Sequence, residues 1–288
     1  MPTALRGHFN GEGDMSMLVN VQQLATQLQD EPIILVRAVM DDPVTKTPDS
    51  RDAMVLPNSV DIDLDGEGSD HTTGFPHSMP QASDFALYLG RQGLTEMSSV
   101  VVYDTRGMYS APRVWWMLKA MGHENVKLLN GGQVAWEEKS LPVSEQRIPS
   151  HFKYESNAQS KWFVNSSAVI QAINTDAQLV DARSEARFYG KVAEPRPGVR
   201  SGHMPGAYNL PFTALLDNGF FLSVEELKGV FANTDIDLSK PIICTCGSGV
   251  TACIIGVAAL MCGASDVAIY DGSWSEWGAN ATYPVVKD

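Results

Sequence analysis

Basic charge is what this chain has least of: 21 lysines and arginines face 34 aspartates and glutamates, a formal charge of −13 over 288 residues. Nucleic acids and anionic membranes draw on clustered Lys and Arg, so both are disfavoured as partners, whereas a small anionic substrate needs only a local basic site. No run approaches the roughly 20 apolar residues of a membrane-spanning helix. Residues 1–14 include His8, Asn10, Glu12 and Asp14 and lack the apolar stretch of a secretory leader. The expectation is a cytoplasmic protein whose natural start is Met15 or Met17, behind a disordered extension. Cysteine is scarce, and Cys244, Cys246, Cys253 and Cys262 crowd into one short stretch. A disulfide scaffold spreads its cysteines to staple distant loops, which excludes that class here. No Cys-x2-Cys or paired-His motif supplies four zinc ligands, and neither a metal nor an organic cofactor is expected.

What is present in quantity is apolar material, 44% of the residues, enough for two cores, and an internal repeat. An offset of 141 residues sets Trp136 over Trp277, Asn130-Gly131 over Asp271-Gly272, Val101-Val102-Tyr103 over Ile242-Ile243-Cys244, and Ala111 over Ala252. A looser match lays Leu56-Pro57-Asn58 over Met204-Pro205-Gly206. The chain therefore reads as two homologous halves, 16–143 and 161–288, joined by the polar linker 144–160. Each half alternates short apolar runs with helical patterns, the mark of an α/β fold with a mostly parallel central sheet flanked by helices. Strands are expected at Ile33–Val36, Ser99–Tyr103, Leu179–Ala182, Ala207–Leu210, Ile242–Cys244 and Val267–Tyr270. Asn20 with Gln23, and Ser223 with Glu226, form capping boxes that open helices over Val21–Leu28 and through Phe231. The segment Ala252–Met261 is apolar nearly all round and is expected as a buried helix.

Cys246 then sits between a buried strand and a buried helix, followed by Gly247, Ser248 and Gly249, whose small side chains let a loop curl with its N–H groups inward. A thiolate held this way titrates somewhere in the range of roughly 3.5–7.5 instead of about 8.5. Placement alone leaves two readings open, a reactive thiolate or a small buried hydrophobe. Cys244 lies two residues earlier on the same side of the strand, and a disulfide between the two would be strained, so it reads as a buried thiol. Thr105 occupies the position of Cys246 in the first half, which marks that half as catalytically silent and a wall of the site. A Cys-x5-Arg phosphatase would carry arginine at position 252, where this chain has alanine.

The string CGSGVTA, preceded by IICT and followed by IYDGSWSEW, resembles the active-site region of two-domain rhodanese-like sulfurtransferases of the 3-mercaptopyruvate type. SAPRVWW (110–116), DARSEARFYG (181–190), EPRPG (194–198) and GHMPGAYNLPF (202–212) extend the resemblance over nearly the whole chain. It implies two tandem rhodanese-like domains and a Cys246 persulfide that carries sulfur from 3-mercaptopyruvate to a thiol such as thioredoxin, or to cyanide, with release of pyruvate. It implies that Gly247, Gly249, Val250 and Thr251 line the substrate and persulfide, and that Arg187 and Arg196 bind the substrate carboxylate. From the residues alone these two arginines read as solvated charges in a connector. It further implies that Ser248 works beside the thiol, served by His77 and Asp63 from the first half in a relay resembling hydrolase triads. His203 reads as a structural histidine holding a turn, and Asp181 as a sheet-edge residue bracing the loop. The expected assembly is a monomer or weak dimer. Thiosulfate-preferring relatives usually carry basic residues after the cysteine, and Gly247-Ser248 departs from that. A thiosulfate enzyme and a protein sulfur-relay module remain the alternatives.

Overall fold

The computed structural model describes residues 17–42, 45, 47–49 and 54–287. The expected extension falls on residues 1–16, outside the described ones. Asn20 opens α1 (Val21–Asp30) as its spacing to Gln23 predicts: its side chain accepts from the Gln23 N–H at 2.9 Å while the Gln23 side chain accepts from the Asn20 N–H at 3.1 Å. The apolar runs that follow cannot bury themselves singly and pair instead into a sheet of β1 (Leu18–Val19), β2 (Ile33–Val39), β3 (Ser59–Asp63), β4 (Ser99–Tyr103) and β5 (Val126–Leu129). Their order is β1-β5-β4-β2-β3, parallel throughout. Helices α2 (Ala82–Arg91), α3 (Ala111–Ala120) and α4 (Gly132–Glu138) make the connections.

The second half repeats this plan with β6 (Phe163–Val164), β7 (Gln178–Asp181), β8 (Tyr208–Asn209), β11 (Ile242–Thr245) and β12 (Val267–Tyr270), in the order β6-β12-β11-β7-β8 and again all parallel. Its helices are α5 (Ser166–Ala172), α6 (Glu185–Phe188), α7 (Val224–Asn233), α8 (Ala252–Met261) and α9 (Ser273–Trp277), and β9 (Leu216–Asp217) with β10 (Phe220–Phe221) forms a separate small hairpin. Ser223 and Glu226 close the second expected capping box at the start of α7. The looser repeat match is also visible: Val55 bridges Ser144 as His203 bridges Val286. Strand β8 is shorter than the expected Ala207–Leu210, as suits an edge strand. No helix among the described residues is long and apolar enough to cross a membrane.

Helices α3 and α8 are equivalent under the 141-residue offset, and they pack against each other. Each half thus presents the same helix to the other, an isologous contact inside one chain. This explains why α8 is apolar all round: one face meets its own sheet and the opposite face meets α3. Gly256 makes the close approach possible, since a Cβ there would come within 2.7 Å of the Trp116 ring. Linker residues 144–160 run pinned along the first half. Arg147 N–H donates to Ser59 O and Phe152 N–H to Gly90 O, both at 2.9 Å, and Tyr154 stacks on His123.

Candidate active site

In a parallel sheet, ligands gather at the carboxyl ends of the strands. Strand β11 is central in its sheet, and Cys246 is the residue that follows it, 2% exposed. The loop after Cys246 has its carbonyls drawn outward. Cys246 O accepts from Trp274 N–H and Gly247 O from Ser275 N–H, both at 2.9 Å, so the free N–H groups of α9's first turn are satisfied by the loop. Gly249 O accepts from Arg113 Nη1 and from Cys253 Sγ, both at 3.3 Å. Gly249 has φ +76, where a Cβ would also press within 2.9 Å of Asp271 O. With the carbonyls engaged elsewhere, the N–H groups of residues 247–252 donate to no protein acceptor among the described residues. The N-terminus of α8 lies on the same side. The result is a cradle for an anion on Cys246.

The other cysteines are built differently. Burial pushes the Cys244 thiol well up, holds Cys253 at about 12 and raises Cys262 to about 11. They are thiols without nucleophilic character near neutral pH. All four cysteines are free.

Ser248 Oγ lies 3.0 Å from His77 Nδ1, so the first half reaches the cysteine loop. His77 Nε2 meets Asp65 Oδ1 at 3.2 Å, and the carboxylate beside the ring is therefore Asp65, not the expected Asp63. Strand β3 ends at Asp63, whose Oδ1 turns back to accept the Asp65 N–H at 3.0 Å. Asp65 projects beyond the strand end, accepting also from Asp41 N–H at 2.6 Å. Burial lowers the His77 pKa, opposed by Asp65 and assisted by Arg113 and Arg196, so the imidazole is neutral at pH 7. With Asp65 ionised, Nε2 carries the proton and Nδ1 is free to accept from the Ser248 hydroxyl.

Arg196 and Arg187 are both at the mouth, in different electrical states. Arg196 makes no hydrogen bond or ion pair among the described residues, and burial lowers its pKa while the Cys246 sulfur opposes that shift. Arg187 lies over Gly247, where a Cβ would come within 3.1 Å of its Nη2, and it grips Glu194 through Nε at 3.2 Å and Nη2 at 2.6 Å. Glu194 is shared with the buried Arg183, whose Nη1 donates to it at 3.0 Å. Asp181, expected to brace the cysteine loop from a sheet edge, stands instead at the end of interior strand β7 and holds Arg183, from Nη2 at 2.6 Å. His203 stacks on Phe188 and its Nδ1 faces Phe188 O at 3.0 Å, away from the thiol.

Two residues that sequence reasoning did not single out join the halves. Arg113, fully buried on α3, donates from Nη2 to His77 O and to Asp271 Oδ1, each at 2.6 Å. Asp271 Oδ2 in turn accepts from Met79 N–H at 2.9 Å. One guanidinium thus fixes the backbone of His77, whose φ is +59, and that of the cysteine loop. The available signal was an arginine inside the apolar run of α3, which can be buried only with a partner. Across the pseudo-dyad, Asn130 Oδ1 accepts from Phe221 N–H at 2.9 Å, the counterpart of Asp271 and Met79.

The corresponding loop of the first half is already filled. Asp104 Oδ2 accepts from the N–H groups of Tyr109, Ser110 and Ala111 at 2.7, 2.9 and 2.9 Å, and Oδ1 accepts from Arg106 N–H at 2.9 Å. The first cradle holds the protein's own carboxylate. Thr105 hydrogen-bonds to Asp49, and Gly107, where Ser248 would stand, lies against Gly219. No group of three or more His, Cys, Asp or Glu side chains that could hold a metal ion occurs among the described residues.

Two parallel sheets of one strand order, each flanked by helices, with a cysteine cradle at the end of one central strand, define a tandem α/β architecture with a single thiol site. A family model for the rhodanese-like domain matches residues 20–139 and 166–280, and the chain belongs to that family. It is 45% identical over 228 residues to 3-mercaptopyruvate sulfurtransferase of Mus musculus, covering 77% of this chain and 76% of that one. The crystal structure of the 3-mercaptopyruvate sulfotransferase SseA from Escherichia coli superposes with a TM-score of 0.80 at 33% identity, covering 90% of this chain and 98% of that one. Thiosulfate sulfurtransferase of Cricetulus griseus is 40% identical over 230 residues, 77% of this chain and 76% of that one.

Proposed function

We propose that this protein transfers the sulfur of 3-mercaptopyruvate through a Cys246 persulfide to a thiol or cyanide acceptor and releases pyruvate. The observation that carries this reading is that, among the described residues, the N–H groups of residues 247–252 around Cys246 and the Arg196 guanidinium near it engage no protein partner. The N–H groups suit a thiolate and then the outer sulfur of Cys–S–S⁻. The guanidinium suits a carboxylate.

In the first half-reaction, the Cys246 thiolate attacks the donor sulfur. The S–S bond forms as the donor C–S bond breaks, and that electron pair leaves on carbon as the enolate of pyruvate. The proton lost by Cys246 passes through Ser248 and His77 to the enolate carbon, so thiol plus 3-mercaptopyruvate becomes persulfide plus pyruvate. Asp65 stabilises the transient imidazolium. Arg187 and Arg196 hold the carboxylate, and Arg113 keeps His77 and the loop in register. In the second half-reaction an acceptor thiolate, from a small thiol or a thioredoxin-like protein, attacks the outer sulfur and Cys246 leaves as the cradled thiolate.

Mass spectrometry after incubation with 3-mercaptopyruvate tests this. One added sulfur atom is expected on the Cys246 peptide, with pyruvate released in equal amount. An unmodified peptide refutes it. Kinetics with both donors separates this reading from a thiosulfate enzyme, which would show the higher kcat/KM for thiosulfate.

A further inference from the structure

We infer that Glu194 is a specificity-determining residue that sets the charge of the sulfur donor, tuning the mouth of the site for a monoanion over a dianion. This rests on the donor reading above and extends it to a residue that does not touch the reacting atoms.

Five charged side chains converge beside Gly247. Asp181 neutralises Arg183, both essentially buried. Glu194, with a side chain 3% exposed, neutralises Arg187 through two hydrogen bonds while anchored on Arg183. Arg196 alone is left uncompensated among them. On the other walls Arg113 is matched by Asp271, Arg106 by Asp42, and His77 is neutral. The five-residue cluster beside Gly247 therefore carries one net positive charge, and the other walls, with the ionised Asp65 behind neutral His77, add no further cation to it.

Arg187 Nη1 takes no protein acceptor among the described residues and can still orient a carboxylate oxygen. Its geometry is available, but its charge is already spent on Glu194. A donor with one carboxylate balances Arg196. A donor with two negative charges brings a second one into a partly buried site that has no second free cation among the described residues, where unscreened charge is costly. Glu194 is held rigidly by Arg183, so it cannot swing aside to release Arg187. The discrimination belongs to the carboxylate's charge, not its size.

The experiment compares wild type, Glu194→Gln and Glu194→Asp with 3-mercaptopyruvate and thiosulfate as donors. Glu194→Gln should move the kcat/KM ratio toward thiosulfate by about tenfold or more, and steepen the fall of the thiosulfate rate with salt. Glu194→Asp keeps the charge and should keep the wild-type ratio. Equal losses on both donors in Glu194→Gln, or an equal shift in Glu194→Asp, would overturn the inference. Should Glu194→Gln not fold, calorimetric binding to the wild type still decides: pyruvate should bind at least as tightly as sulfate, and markedly tighter sulfate would refute a single net charge. Binding needs no turnover. A wild type that forms no persulfide therefore defeats the functional reading while this test stays readable.

Discussion

Replacing Asp65 by asparagine removes the carboxylate from His77 and keeps its volume. In the proposed reaction His77 passes through an imidazolium, and the full charge of Asp65, 3.2 Å from Nε2, acts on that transient cation. Two unit charges at about 4 Å interact by about 4 kcal/mol at an effective dielectric of about 20. The Asp65 side chain is 31% exposed, so solvent screening reduces this to about 1.5–3 kcal/mol. The rate of persulfide formation should fall by about 10- to 100-fold. KM should move little, because Asp65 does not face the donor carboxylate. The acid limb of the pH–rate profile should also shift to lower pH, since Asp65 raises the His77 pKa and its loss removes that support. Rapid-quench mass spectrometry of the Cys246 peptide measures the rate directly. Asp63→Asn is the matched control: its Oδ1 accepts from the Asp65 N–H while Asp65 is the carboxylate on His77, so it should slow the step by less than about threefold. A larger loss in Asp63→Asn than in Asp65→Asn would falsify the relay assigned here.

Arg196→Met should raise KM for 3-mercaptopyruvate by about 10- to 100-fold, the worth of one charge-assisted hydrogen bond, in steady-state kinetics. At pH 7.5 limited iodoacetamide should label Cys246 first, and Cys253→Ser should keep most activity, since burial holds the Cys253 thiol at about 12. Gly256→Ala should cost about 1–3 kcal/mol in urea unfolding, because the new methyl meets the Trp116 ring. Stability should rise with pH up to about 6.5: burial lowers the pKa of both His77 and His123 from 6.5, so the unfolded chain binds more protons below that pH. Thermal melts at pH 5.5 and 7.5 check the sign, and His123→Asn should flatten the difference.

Both capping boxes and the strand that delivers Cys246 were legible because each depends on residues near one another in the chain, and the repeat because each matched string is itself short and contiguous. The relay carboxylate was not. Asp61, Asp63 and Asp65 look alike in sequence, yet Asp61 pairs with Arg37 on the neighbouring strand, Asp63 caps a turn and Asp65 meets His77. Which does what is decided by where β3 stops and by partners far away in the chain. Arg113 and Asp271 were missed for the same reason, as they act only once α3 and α8 are in contact. The unequal roles of Arg187 and Arg196 depend on Glu194, whose carboxylate could have faced either.

The shared α3–α8 contact has an evolutionary consequence. After a duplication, each copy can lose whatever the other supplies, and here the losses are complementary. The first copy has Thr105 where the thiol would stand and a cradle stopped by Asp104, yet it holds His77, Asp65 and Arg113. The second copy keeps the thiol but, among the described residues, has no histidine of its own hydrogen-bonded to the cysteine loop. On the proposed mechanism neither copy can return to independent life by a single substitution, so the fused chain works as a ratchet: separating the halves would leave one a nucleophile without a proton path and the other a proton path without a nucleophile.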